Sequence, residues 1–283
     1  MSSIRPNSLR NLSSSLTTLS LRSYDLRGKL ENNIPYLPSI QTLNLSYNWL
    51  LIEAPVWKSV IGNLTQLREL LLDDTNMSSI RPNSLMNLSS SLTTLSLRSC
   101  DLRGILENNI LNLPSIQTLD LSYNWLLIEA PVWKSVIGNL TQLRELHLDY
   151  TNMSTIKPNF LMNLSSSLTT LSLSYYDLWG KLENNILCLP SIQTLDPTGN
   201  WDLEGSLLKS NWSCTSLNFL GLSGRMFSRE FLNSIDNLKS LKHLALPGCN
   251  FTGSIPAWPG ILTKLTYLDL LDKILVVRFY YHF

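Results

Sequence analysis

Histidine and cysteine are scarce in this chain of 283 residues, which has three and four of them. No Cys/His spacing fits a metal cluster, so no metal or cofactor is expected. His147, His243 and His282 have no nucleophile or paired carboxylate at catalytic spacing, and no enzymatic activity is expected. Charge of one sign is also missing, since 22 basic residues face 21 acidic ones. That balance gives no footprint for nucleic acid. No apolar run reaches about 18 residues, so no membrane span is expected in this chain. The apolar tail 274–283 is short and is broken by Arg278. No charged-then-apolar leader follows Met1, so no signal peptide is expected.

What the chain has in abundance is repetition. The segment opened by Leu16 returns nearly unchanged at Leu92 and, more worn, at Leu168, a long period of 76 residues. Each long period divides into units of 24, 27 and 25 residues, opened in the first copy by Leu16, Ile40 and Leu67. Every unit starts Leu/Ile-x-x-Leu-x-Leu, as in Leu16, Leu19 and Leu21. Self-similarity at 20–29 residues with this pattern is the mark of a leucine-rich-repeat solenoid. The predicted fold is therefore α/β: a right-handed solenoid with one long parallel sheet on its concave face and short helical or irregular convex segments. About ten or eleven repeats follow a partial one at 1–15, the solenoid runs to residue 270, and 271–283 is a non-repeating tail. The stretch Met1 to Leu9 matches Met77 to Leu85, so the chain starts inside a repeat and is expected to be a fragment of a longer protein or a truncated product.

Position within a unit assigns roles. In Leu-x-Leu the leucines point inward and the intervening residue outward. The ninth residue turns the chain off the strand, where an Asn side chain can satisfy neighbouring backbone groups. Asn48, Asn124 and Asn200 fit that role, Thr75, Thr151, Cys100 and Cys249 are acceptable, and Tyr24, Tyr176, Arg225 and Lys273 are not. Pro197 stands where the strand wants leucine and cannot donate to the ladder. Regularity is expected to decline toward the C-terminus.

After the ninth residue comes Leu-x-Gly-x-Leu/Ile, as in Leu26-Arg-Gly28-Lys-Leu30, and in Phe251-Thr-Gly253-Ser-Ile255-Pro256. This element resembles the plant-specific class of leucine-rich repeats. Strings such as Leu-Thr-Thr-Leu-Ser-Leu-Arg-Ser and Gly-Asn-Leu-Thr-Gln-Leu-Arg-Glu-Leu are similar to plant receptor-like proteins and the ectodomains of receptor-like kinases. The resemblance implies a non-catalytic module at the extracellular side of the plasma membrane, serving defence or developmental signalling. Its implied partners are a peptide, protein or glycan on the concave face and a signalling co-receptor. A secreted inhibitor-type solenoid and a truncated, non-functional receptor piece are the competing readings.

Asn-x-Ser/Thr sequons recur at fixed unit positions. Asn11, Asn63, Asn76, Asn87, Asn139, Asn152, Asn163, Asn211 and Asn250 are candidate glycosylation sites. Asn44 is set aside, because a glycan between two strand leucines would obstruct the concave face. Cys188 and Cys214 lie one coil apart, and either a disulfide or two unrelated thiols fits that placement. An oxidising compartment favours the bridge. Aromatic and arginine side chains are the usual interface anchors. The outward residues Arg22, Tyr47, Asp73, Arg98, Tyr123, His147, Asp149, Tyr150 and Tyr175 are accordingly the candidate ligand contacts. The two best-matched long repeats differ at only three concave positions, Asn44/Asp120, Leu71/His147 and Asp74/Tyr150.

Overall fold

The computed structural model describes residues 12, 14–30, 37–107, 113–158, 164–175, 177–182, 186, 189–205, 216–224, 226–227, 234–249 and 261–270. Eleven three-residue strands, from Thr18–Ser20 to Tyr267–Asp269, form one parallel sheet in strict chain order. Register follows the leucines: Leu19 pairs with Leu43, Leu43 with Leu70, and so on to Leu244 with Leu268. The solenoid expected from spacing is the fold observed. The strand leucines from Leu43 to Leu244, together with Ile40, Ile116 and Ile192, form a single core; Leu19 packs against it half-buried, and Leu268 on the last described strand is exposed.

Where the ninth residue is Asn, the turn off the strand is held as the argument requires, whereas the ninth-position Thr151 hydroxyl is buried without a partner. Asn124 is buried. Its Oδ1 accepts the N–H groups of Cys100 and Leu102, and its Nδ2 donates to the carbonyls of Leu97, Leu121 and Ser122. Asn48 makes the equivalent five bonds in the preceding copy. One amide thus pairs five backbone groups that water cannot reach. Cys100 recovers part of this with a 3.1 Å contact from Sγ to the Leu72 carbonyl. Tyr24, too large to turn inward, is 56% exposed. Arg225, Tyr176 and Lys273 lie outside the described residues.

Pro197 is buried and shortens the ladder locally. The strand before it pairs with the next at two positions, Thr194↔Phe219 and Leu195↔Leu220, where most neighbours pair at three. The strand register recovers on the following coils. The expected C-terminal decline nevertheless shows elsewhere among the described residues: Asp202–Gly205 pairs with Met226–Phe227 at two positions, the Ser223 hydroxyl is buried without a partner, and Leu268 is 38% exposed.

Two helices lie on the opposite side, α1 (Ala54–Asn63) and α2 (Ala130–Asn139), identical in sequence. Proline at the second position suits a helix start, where its missing N–H has no partner to lose. Trp57 and Trp133 are each 1% exposed and plug the core beneath these helices.

A feature the leucine pattern does not announce follows the turn. Arg27–Lys29 pairs in parallel with Trp49–Leu51, Arg103–Ile105 with Trp125–Leu127, and Trp179–Lys181 with Asp202–Gly205. These small second sheets run along one flank. The Leu-x-Gly element is their origin: Gly28, Gly104 and Gly180 have φ of 102°, 120° and 97°, which side-chain-bearing residues rarely adopt.

Candidate functional site

The eighth residue of each coil sits where the concave sheet ends and turns onto the flank. On most coils its backbone is left-handed, with φ of 59° at Tyr47, 58° at Tyr123 and Tyr150, and 60° at Tyr175; Gly224 is an exception. For a bulky side chain this region is an outlier. Lateral hydrogen bonds hold it there: the N–H of Tyr123 donates to the Asp149 carbonyl, that of Tyr150 to Ser174, and that of Tyr175 to Thr198. The chain uses glycine at the same position in later coils, Gly199 with φ 82° and Gly248 with φ 68°.

Because coils stack at about 4.8 Å, tyrosines on successive coils are forced into ring contact. Tyr123 and Tyr150 have centroids 4.6 Å apart, and Tyr150 and Tyr175 4.7 Å apart. The Arg98 guanidinium lies 4.3 Å from the Tyr123 centroid and closes one end of the stack. The other end rests on Gly199, where a Cβ would come within 2.5 Å of the Tyr175 ring. Ring faces are consumed inside the stack, so the row offers ring edges and phenol hydroxyls. Burial pushes the Tyr123 phenol above its ordinary pKa, against the lowering effect of Arg98. Burial raises Tyr150 as well, helped by its neighbours Tyr175, Tyr123 and Asp149. Both hydroxyls are therefore protonated donors at physiological pH.

The remaining candidates divide. Tyr47 is capped by Arg22 at 4.6 Å, yet it stands apart from the stack, because Asp74 and Ser99 occupy the eighth position on the two coils between. His147 is half-buried on its strand, paired with Asp120 and Ser172. Asp73 and Asp149 depart from the outward placement expected of them. Each is 9% exposed. Asp73 Oδ1 accepts the Ser96 hydroxyl at 2.5 Å and the Arg98 N–H at 3.1 Å. Asp149 Oδ1 accepts the Ser172 hydroxyl at 2.7 Å and the Ser174 N–H at 2.8 Å. These carboxylates tie coil to coil and orient the backbone that carries Arg98. The alternation of inward and outward residues ends with the strand, and position seven already lies in the turn.

Asn63, Asn76, Asn139 and Asn152 are exposed on the described surface. Asn87 ends a 3-10 helix over Pro82–Asn87. Asn11, Asn163, Asn211, Asn250, Cys188 and Cys214 lie outside the described residues. Cys100 and Cys249 are free, buried thiols, each pushed by burial up to about 12.

Two surface groups escaped the sequence reading. Phe219, His243 and Tyr267 line up at the third position of successive coils, with centroids 6.1 and 5.8 Å apart. Counting every third position in adjacent units finds them, whereas the 76-residue period does not, because they fall in the worn copy. On the flank, Trp49, Trp125 and Trp179 are 73%, 59% and 47% exposed.

No family model matches the chain. Receptor-like protein 9DC1 of Solanum pimpinellifolium is 33% identical over 155 residues, covering 54% of this chain and 17% of that protein. Receptor-like protein 6 of Arabidopsis thaliana is 32% identical over 165 residues, covering 55% and 16%. The crystal structure of PEPR1–AtPEP1 superposes with a TM-score of 0.66 at 30% identity, over 87% of this chain and 33% of that one. The chain thus spans about a sixth of the length of the curated relatives it matches. Among the described residues no helix is long and apolar enough to cross a membrane. It is a leucine-rich-repeat solenoid whose curated relatives include plant receptor-like proteins and whose structural neighbours include the ectodomains of plant leucine-rich-repeat receptors.

Proposed function

We propose that this chain is a non-catalytic recognition segment of a plant cell-surface receptor, facing the extracellular side and binding a peptide, protein or glycan with its concave face. A signalling co-receptor is its second partner, and defence or developmental signalling its setting. Glycans on the exposed sequons Asn63, Asn76, Asn139 and Asn152 belong to the same reading.

The observation that carries it is the row Arg98–Tyr123–Tyr150–Tyr175. The chain places tyrosine in a left-handed backbone where glycine would be free of strain, and it does so on three consecutive coils. Strained backbone of this kind is tolerated where a side chain is needed. Peptide occupancy is favoured because PEPR1, with which the chain shares 30% identity, was solved with AtPEP1.

The test is a yeast-displayed library of extended plant peptides, with AtPEP1 as the first probe. Binders to residues 1–283 are then titrated against a Tyr123→Ala/Tyr150→Ala double variant. The expected result is at least a roughly tenfold loss of affinity, about 1.4 kcal/mol, with an unchanged far-UV circular dichroism spectrum. Binders indifferent to the double substitution would remove the row as the contact.

A further inference from the structure

The exposed indoles on the flank have a neighbour in common. Trp49 pairs across the second sheet with Arg27 on the coil before it, and the guanidinium lies 5.8 Å from the indole centroid. Trp125 and Arg103 repeat this at 5.7 Å. One indole face is therefore covered by a cation from the preceding coil, and the other turns toward the following coil. What stands on that following coil is a sequon asparagine in both copies. Leu51 bridges to Asn76 and Leu127 to Asn152, which puts each asparagine diagonally across from its tryptophan, about 8 Å away backbone to backbone.

The asparagines are held in an orientation suited to modification. Asn76 Oδ1 accepts the Ser78 N–H at 3.1 Å and the Ser78 hydroxyl at 2.8 Å. Asn152 Oδ1 accepts the Ser154 N–H at 3.1 Å. The amide oxygen thus faces its own turn, and Nδ2, the atom a glycan is joined to, has no protein partner among the described residues. Both side chains are exposed.

We propose that Trp49 and Trp125 are packing platforms for the first sugars of N-glycans on Asn76 and Asn152. The apolar C–H face of a pyranose lies on the open indole face, so each glycan covers a surface that the protein leaves bare. This rests on the extracellular reading given above, because an attached glycan requires the secretory route. It goes beyond that reading in assigning the tryptophans an occupant carried by the chain itself. The second copy has an added wall: the Trp179 Nε1–H donates to the Ser154 carbonyl at 2.8 Å, so an indole also flanks the turn of Asn152. In the first copy Arg103 holds the corresponding place.

The experiment is residue-resolved hydroxyl-radical footprinting of the full chain, secreted from plant cells behind an added leader. Protein with its glycans is compared with protein stripped by a peptide N-glycanase under native conditions. Covering the open face of the ring should lower oxidation of Trp49 and Trp125 about threefold in the glycosylated form. Ser78→Ala, which abolishes the sequon but keeps Asn76 and its turn, should restore labelling at Trp49 alone. Ser154→Ala should do the same at Trp125 alone. Equal labelling with Asn76 and Asn152 occupied overturns the packing and leaves the extracellular reading intact. The packing is overturned equally if glycopeptide mass spectrometry finds those two asparagines bare while other sequons are modified. A secreted chain bare at every sequon would sink the glycosylated, extracellular reading along with the packing.

Discussion

The stretch of the turn edge that begins at Tyr47 and the one that begins at Tyr123 start from nearly the same sequence and end as different surfaces. Both open with a tyrosine capped by an arginine, at 4.6 Å in one and 4.3 Å in the other. Upstream, the next two coils carry Asp74 and Ser99 at the eighth position, and the aromatic surface stops after one ring. Downstream they carry Tyr150 and Tyr175, and three rings run in contact. In a solenoid each coil touches only its neighbours, so a continuous surface needs matching residues on consecutive coils. Two changes in a duplicated sequence are enough to produce one.

The frame beneath that edge should not distinguish the two stretches. Asn48→Ala and Asn124→Ala each strand two N–H groups and three carbonyls. With about 1–3 kcal/mol for a buried group left unpaired, and some relaxation, each should cost roughly 3–5 kcal/mol. Denaturant unfolding of the two variants tests this. A difference above about 2 kcal/mol would mean that the surface row, and not the buried amides, sets local stability.

How far the sequence alone reached follows from these same residues. Leucine spacing is a one-dimensional signal, and it determined the sheet, its register and the buried asparagines. Tyr123, Tyr150 and Tyr175 were legible as an outward set, but their contact was not, since it depends on coil-to-coil distance. Asp73 and Asp149 misled because position seven looks like a strand residue and lies in a turn, where the carboxylate bonds back to the next coil. The second sheets are three residues long and centred on Gly28 and Gly104, too short and too glycine-dependent to show a period of two. With them went any expectation that Trp49 and Trp125 would be bare.

The comparison can be inverted at the surface. Tyr150→Asp copies the upstream residue into the stack and should weaken a selected binder about tenfold or more, close to 1.4 kcal/mol. Asp74→Tyr should join Tyr47 in a two-ring stack worth about 0.5–1.5 kcal/mol. Titration of the first variant and thermal melting of the second are the measurements. A full-affinity Tyr150→Asp protein would show that continuity of the row is not what the ligand uses.

Alkaline pH separates the stretches in another way. Cys100, at the base of the downstream row, is a buried thiol raised to about 12 from 9.0, whereas the upstream counterpart Tyr24 is in solvent. A thiol that ionises less readily when folded stabilises fully below pH 9, and that stability is lost as pH rises toward 12. Between pH 9 and 10 the loss is about 1 kcal/mol per thiol, with Cys249 contributing alike. Cys100→Ala should flatten the decline of the denaturation midpoint over that interval by about half. An unchanged slope would mean that the thiol is not shielded from water.

The finest distinction is between the same substitution in the two stretches. Glycine relieves a left-handed residue of roughly 1–2 kcal/mol and adds about 0.5–1 kcal/mol of unfolded-state entropy against folding. That backbone balance is common to Tyr47→Gly and Tyr150→Gly, whose φ values are 59° and 58°. The side chains are not alike, because Tyr47 loses one cation–π contact and Tyr150 loses two stacked neighbours. Tyr47→Gly should therefore leave stability within about 0.5 kcal/mol of the parent, and Tyr150→Gly should fall about 1 kcal/mol below it. Denaturant midpoints compared under identical conditions cancel the shared backbone contribution and isolate the stack. If the two variants unfold together, the rings touch without stabilising one another, and the downstream row is held only by the backbone ladder under it.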